Sequence, residues 1–236
     1  MSYQNVNEAY QAPVSEIDAN RRGAFIAKTY NHLLGSIFAF TALSFFFYQS
    51  GISYKILEFV SSFGYGWMML LGGFMAASWV ATHLAHSSQS KATQYSSLIG
   101  FIIAEAVIFA PMLLIAASYA DGVIQSAATV TLVGFGLLTA IVFYTRKDFS
   151  FMRGMLMWGF GLALVAIVGG LIFGFQLGTW FSVAMIGLSG AAILYDTSNV
   201  LHHYPEDRYV GAALQLFASV AMMFWYVLRL FMSSDD

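Results

Sequence analysis

Seven apolar runs divide the chain, at about residues 31–49, 65–84, 98–118, 124–144, 155–174, 179–200 and 209–232. Each approaches the ~20 residues that carry an α-helix across a ~30 Å hydrocarbon core. A membrane β-barrel would instead show ~10-residue segments alternating apolar and polar positions. The stretches FIIAEAVIFAPMLLIAA (101–117) and MLMWGFGLALVAIVGGLIFGF (155–175) do not alternate. The pattern therefore predicts an all-α, polytopic membrane protein, a bundle of seven transmembrane helices. The shortest turns fall around Asp121 and between residues 174 and 179.

Ahead of the first run, residues 1–22 (MSYQNVNEAYQAPVSEIDANRR) are polar, contain Pro13 and lack apolar periodicity. They are expected to form a mobile tail, leaving residues 23–236 as the transmembrane domain. The segment lacks the apolar stretch of a signal peptide, so the first helix is expected to be retained as an internal signal-anchor. Orientation follows from Lys and Arg in the connections. With the N-terminus inside, the cytoplasmic side collects Arg21, Arg22, Lys28, Lys91, Arg146, Lys147, Arg153 and Arg208, against Lys55 and Arg229 outside. This bias predicts a cytoplasmic N-terminus and a C-terminus on the outer, periplasmic side.

Composition narrows the function. Residues are 59% hydrophobic and 9% charged, against about 25% charged in soluble domains, so seven spans leave no room for a soluble catalytic domain. The chain has no Cys, which removes disulfides, thiolate nucleophiles and Cys-ligated metals. A net charge of −2 without a basic block gives no footprint for nucleic acid. No P-loop, GxSxG, HExxH or zinc-ligand spacing occurs. Neither an enzyme, a cofactor nor a bound metal is expected. Gly170 and Gly174 form a GxxxG, and Gly72, Gly73, Gly187 and Gly190 offer further points of close helix approach.

Ionisable groups at hydrocarbon depth are the informative residues in such a chain, because each costs about 2.5–3.5 kcal/mol at a helix centre. Two qualify, Glu105 in the third run and Asp196 near the end of the sixth. Counting from the run boundaries puts Glu105 ~10 Å and Asp196 ~6 Å from the cytoplasmic ends of their helices. Both are candidates for proton or ion sensing, in a shared polar pocket if the third and sixth helices touch. Pro111 removes an amide donor and disrupts the bond to the carbonyl of Val107, so a kink is expected there, one that could line a cavity. All five histidines (His32, His83, His86, His202 and His203) fall at helix ends or connections on the basic side. His83 and His86, three apart on one helical face, have a spacing that can bind a metal. With no HExxH beside them they read as interfacial polar residues, with pH sensing as their candidate chemistry.

Two segments carry a specific resemblance: TRKDFSFMRGMLM, Thr145 to Met157, and GAAILYDTSNVLHHY, Gly190 to Tyr204. With seven spans and a polar N-terminal tail, they resemble the Bax inhibitor-1 family, and within it the bacterial YccA-like branch. The resemblance implies six helices around a central seventh in the bacterial inner membrane. In the family's calcium-leak members the aspartate of the Tyr-Asp motif pairs with a second aspartate on the seventh helix, supported by an arginine on the second. This proton-sensitive latch carries over at Tyr195-Asp196 alone. ALQLFAS aligns Ser219 with the second aspartate, and the second span has no arginine, only His83 and His86 at its inner end.

Two functional readings follow. The YccA-like branch is associated with restraining the membrane AAA protease FtsH, which needs no ion pathway. The loss of two latch residues favours this reading, an interaction protein in membrane-protein quality control. The alternative is a pH-sensitive calcium or cation leak, with calcium as the transported ion and Asp196, and potentially Glu105, on the pathway. A transporter of another solute would show an inverted repeat of broken helices, which is not evident.

Overall fold

A helix of ~20 apolar residues spans the hydrocarbon core with every internal backbone group bonded, which is why each apolar run becomes a continuous helix. The computed structural model describes residues 12–233. Among them are α1 (Ala19–Gln49), α2 (Ile52–Ser62), α3 (Gly66–Ser87), α4 (Lys91–Tyr119), α5 (Val123–Thr145), α6 (Arg153–Phe173), α7 (Thr179–His202) and α8 (Tyr209–Ser233). All but α2 are long and apolar enough to cross a membrane. The seven expected spans are present, in a multi-pass helical bundle.

The boundaries differ from the apolar runs where polar residues extend a helix. Asp18 caps α1, its carboxylate accepting the amides of Asn20 and Arg21 at 3.0 Å each, so α1 starts at Ala19 rather than near residue 31. Ser90 caps α4, its hydroxyl accepting the Thr93 amide. Side chains at these positions satisfy amides that a helix start leaves without partners. The unexpected α2 has 11 residues, ~17 Å of helix and too short to span. It packs against α1, α3 and α4.

The expected mobile tail over residues 1–22 divides. Residues 1–11 lie outside the described residues. From Pro13 onward the segment is held against the connection between α7 and α8, which corrects that expectation. Pro13 bridges to Pro205, the Val14 amide donates to the Tyr204 carbonyl at 2.9 Å, and the Ser15 hydroxyl donates to the His202 carbonyl at 2.7 Å. Arg21 pairs with Glu206. Val14 is fully buried, and Ile17 packs beside it on the core. Two apolar side chains within a polar stretch suffice to anchor it, and period-based reading passes over them.

The centre of the bundle is α8. Burial covers 72% of its spanning window, 50% of those of α4 and α7, and 11–17% of those of α1, α3, α5 and α6. It contacts α1, α3, α4, α5 and α7. Outward residues such as Trp158, Leu162, Val165 and Trp180 stay exposed, the apolar surface that a lipid environment requires.

Small residues set how closely α8 is approached. A Cβ on Gly211 would stand 3.0 Å from the Ala85 carbonyl oxygen, so any side chain there would press this crossing with α3 apart. The Gly170–Gly174 pair is not a packing motif: Gly174 has φ +74° and ends α6, a left-handed cap that glycine adopts without a Cβ penalty. Gly72, Gly73 and Gly187 face open space, while Gly190 leaves room for ordinary contact with Leu138 and Met223.

Gly211→Ala should therefore lower the thermal unfolding midpoint, at a cost of about 1–3 kcal/mol for overpacking against a backbone atom. Gly187→Ala, into open space, should not. Equal midpoints for the two variants, measured by differential scanning fluorimetry in detergent, would contradict the close crossing.

Candidate functional site

Residues of α7 and α8 build the first candidate centre. Asp196, Thr197 and Ser198 lie on the last turns of α7, all buried. Across from them Ser219 of α8 is buried at 3% exposure, and its hydroxyl donates to Asp196 Oδ2 at 2.5 Å. The expected candidates Asp196 and Ser219 are thus brought together. A hydroxyl stands where a second carboxylate would have supplied like-charge coupling.

Glu105 is elsewhere. It lines a cavity of about 750 Å³ bounded chiefly by α3, α4, α6 and α8, and Asp196 is not among that cavity's lining residues. A pocket shared by the two carboxyls is therefore not formed. Because α4 begins at Lys91, Glu105 stands fourteen residues from Lys91 and fourteen from Tyr119, at the midpoint of the helix. The expectation of a position ~10 Å from the helix start is corrected to ~21 Å. Pro111 is buried inside α4, one and a half turns beyond Glu105, and is not itself among the cavity's lining residues.

His83 and His86 separate in role. His83 is exposed and stacks on Trp79, with ring centroids 5.7 Å apart. His86 is half-buried, its Nδ1 bonded to the Thr82 carbonyl at 2.8 Å and its Nε2 to the Tyr204 hydroxyl at 3.1 Å. Both His86 nitrogens are occupied, and no group of three metal-ligating side chains exists among the described residues.

A third assembly joins the two segments that first carried the family resemblance. The Phe149 amide donates to Ser198 Oγ at 2.8 Å, and His203 Nε2 lies 2.9 Å from Asp148 Oδ2. Asp148 also accepts the Ser150 amide at 2.8 Å. Slight burial works to raise the Asp148 carboxyl, but the bonds from Ser150 and the His203 imidazole hold it below its ordinary 3.8. The α7–α8 connection gathers further partners: Lys91 donates to the Asp207 carbonyl, Arg208 to that of Ser88, and Lys91 Nζ stands 4.2 Å from the Tyr209 ring centroid. Sequence reasoning missed this hub because it joins residues far apart in the chain and uses the main-chain carbonyls of Ser88 and Asp207 as acceptors, which carry no residue signature.

Ser219→Ala should leave the Asp196 carboxyl buried without its partner and cost about 1–3 kcal/mol, read as a lower unfolding midpoint. Asp196→Asn, able to keep a bond to Ser219, should cost less. A Ser219→Ala midpoint equal to wild type would show the bond to be energetically idle. Since the depressed Asp148 group stabilises the fold only while ionised, its contribution is present above 3.8 and disappears as pH falls through and below that value. Asp148→Asn should flatten the acid limb of the unfolding curve, and an unchanged limb would refute the contribution.

A family model described as inhibitor of apoptosis-promoting Bax1 matches residues 22–236. The chain is 38% identical over 112 residues to an uncharacterised protein of Pseudomonas aeruginosa, covering 46% of this chain and 49% of that protein. It is 33% identical over 144 residues to the modulator of FtsH protease YccA of Escherichia coli, covering 60% of this chain and 65% of YccA. Bax inhibitor 1 of Schizosaccharomyces pombe is 26% identical over 227 residues, covering 92% of this chain and 79% of that protein. The match thus spans about half of the first relative and just under two thirds of YccA. By the extent of the family match and its seven-span bundle, the chain belongs to the Bax inhibitor-1 family.

Proposed function

We propose that this protein is a regulatory component of the bacterial inner membrane that modulates an FtsH-type membrane protease. The observation that carries this reading is the closure of Asp196 on a neutral hydroxyl, Ser219 Oγ, at 2.5 Å. A switch built on two carboxylates changes its net charge with one proton and drives them apart when both ionise. One carboxyl bonded to a serine has no like-charged neighbour to repel, so the α7–α8 contact serves better as a fixed joint than as a gate. The likeness to YccA, whose name states modulation of FtsH, supplies the partner class.

In this reading the face that carries the α3–α4, α5–α6 and α7–α8 connections lies in the cytoplasm, following the Lys and Arg bias. The C-terminus then lies on the periplasmic side. The protease would meet the lipid-facing flanks of α3, α5 and α6, which are the least buried spans together with α1.

A second reading, a cation leak sensitive to pH, draws on one observation: Glu105 reaches a large cavity at mid-helix without a bonded partner among the described residues. Calcium is the ion this reading would carry.

Site-specific photo-crosslinkers placed along α3, α5 and α6 in native membranes should capture the protease, and Asp196→Asn should leave the capture within about twofold of wild type, since no ion pathway is involved. Failure to capture the protease at any position would end the first reading. Purified protein in liposomes separates the second: calcium flux that changes with pH and with Asp196→Asn would favour the leak, and flux equal to empty liposomes would remove it.

A further inference from the structure

Two polar side chains from two different helices, Glu105 and Gln215, line the same cavity without partners. Ser78 of α3 stands in the same wall, but its hydroxyl is covered by protein and unbonded like those of Thr131, Ser182 and Thr197 elsewhere in the bundle. Glu105 of α4, only 4% exposed, presents its carboxyl. Gln215 of α8, half-buried, presents its amide. Neither Glu105 nor Gln215 has a side-chain hydrogen bond or ion pair among the described residues. Hydroxyls at depth can return to their own helix, as those of Thr29 and Ser36 do at Phe25 and His32, but the Glu105 carboxyl makes no such bond. Burying it without a partner is costly, and the two groups from separate helices point to a ligand that answers them together.

The remainder of the wall is aromatic and aliphatic, with Trp67, Phe74, Phe101, Phe109 and Trp225 contributing. On α8 the lining runs from Gln215 to Arg229, fourteen residues or ~21 Å of helix. Arg229 at the far end already donates to the Leu177 carbonyl and lies 5.9 Å from the Phe181 ring centroid, so its charge is answered within the protein. The volume of about 750 Å³ lies inside the range of ligand pockets, roughly 300–1,000 Å³.

We propose that this cavity is a binding site for a lipophilic primary amine, whose ammonium head sits between Glu105 and Gln215 and whose alkyl chain follows the aromatic wall toward the α6–α7 connection. Charge and bonding capacity select this class. An ammonium has N–H donors and no acceptor, and the two side chains offer it a carboxylate and an amide oxygen. The aromatic faces around the head add cation–π attraction. Burial favours the neutral carboxyl, and only a cation can hold Glu105 in its charged form; an amphiphilic carboxylate would oppose that charge and an alcohol would bring none to pair with it. The site stands independently of the protease reading, because it concerns a small molecule and this chain alone.

The test uses the full chain in nanodiscs with Trp79, Trp158 and Trp180 changed to Phe, leaving Trp67 and Trp225 at the cavity. The probe is dodecylamine carrying a nitroxide near its chain end, against the matching alcohol and carboxylic acid. Saturable quenching by the amine is expected, with at least about tenfold weaker binding of the two other head groups and of the amine to Glu105→Gln, the loss of one charge-assisted contact. Gln215→Leu keeps the carboxyl and should weaken the amine about threefold. Ala163→Phe, which fills the cavity away from the head, should weaken it as well and guards against a Glu105→Gln chain that fails to fold. Quenching that rises linearly with probe content, equal quenching by all three head groups, or undiminished amine binding in Glu105→Gln and Ala163→Phe would each overturn the site.

Discussion

A helix enclosed by other helices gains nothing from exclusion of water, since lipid tails are as apolar as its neighbours. What holds it is the closeness of packing and the pairing of its few polar groups. In this bundle that constraint falls on α8. Gly211, Ala212, Ala213 and Ala221 are small and buried along it, which lets five other helices reach its backbone. Larger residues fill the gaps where spacing allows, as where Phe109 meets Phe224 in a stacked pair and Trp225 edge-on. The other spans depend on this arrangement. Helices α1, α3, α5 and α6 keep most of their surface outward and are placed mainly by what α4, α7 and α8 present to them.

The same crowding explains why polar residues at depth fall into two kinds. Ser219 sits where α7 is close enough to bond it, and Asp196 is satisfied by one contact. Gln215, four residues earlier and so about one helical turn away on nearly the same face, lines the cavity and finds none among the described residues. A single turn of α8 therefore separates a closed joint from an open chamber. That local difference, more than the number of carboxylates in the spans, distinguishes the two polar sites of the bundle.

Much of this was legible in the residues. Apolar runs of membrane-spanning length gave the seven helices, and the two quoted segments gave the family. The partner of Asp196 was legible too, because Ser219 could be aligned to a position on the last span. Other features were hidden for physical reasons. Helix starts moved outward because Asp18 and Ser90 cap turns that contain no apolar pattern, which in turn moved Glu105 from near one end of its helix to the middle. The docking of Val14 was invisible because it rests on a main-chain bond to a residue far along the chain. Gln215 could have been found, since an amide within an otherwise apolar span is the same kind of signal that drew attention to Glu105.

The bond between Ser15 and the His202 carbonyl joins residues 187 positions apart, and this has a bearing on biogenesis. A chain emerging from the ribosome exposes Pro13, Val14 and Ser15 at the outset, but their acceptors on the α7–α8 turn appear only after six spans have entered the membrane. Until then the amide of Val14 and the hydroxyl of Ser15 lack the acceptors they reach in the finished fold. The docking of this short segment is thus a late stitch of assembly, and its closure marks a molecule whose first six spans are in place.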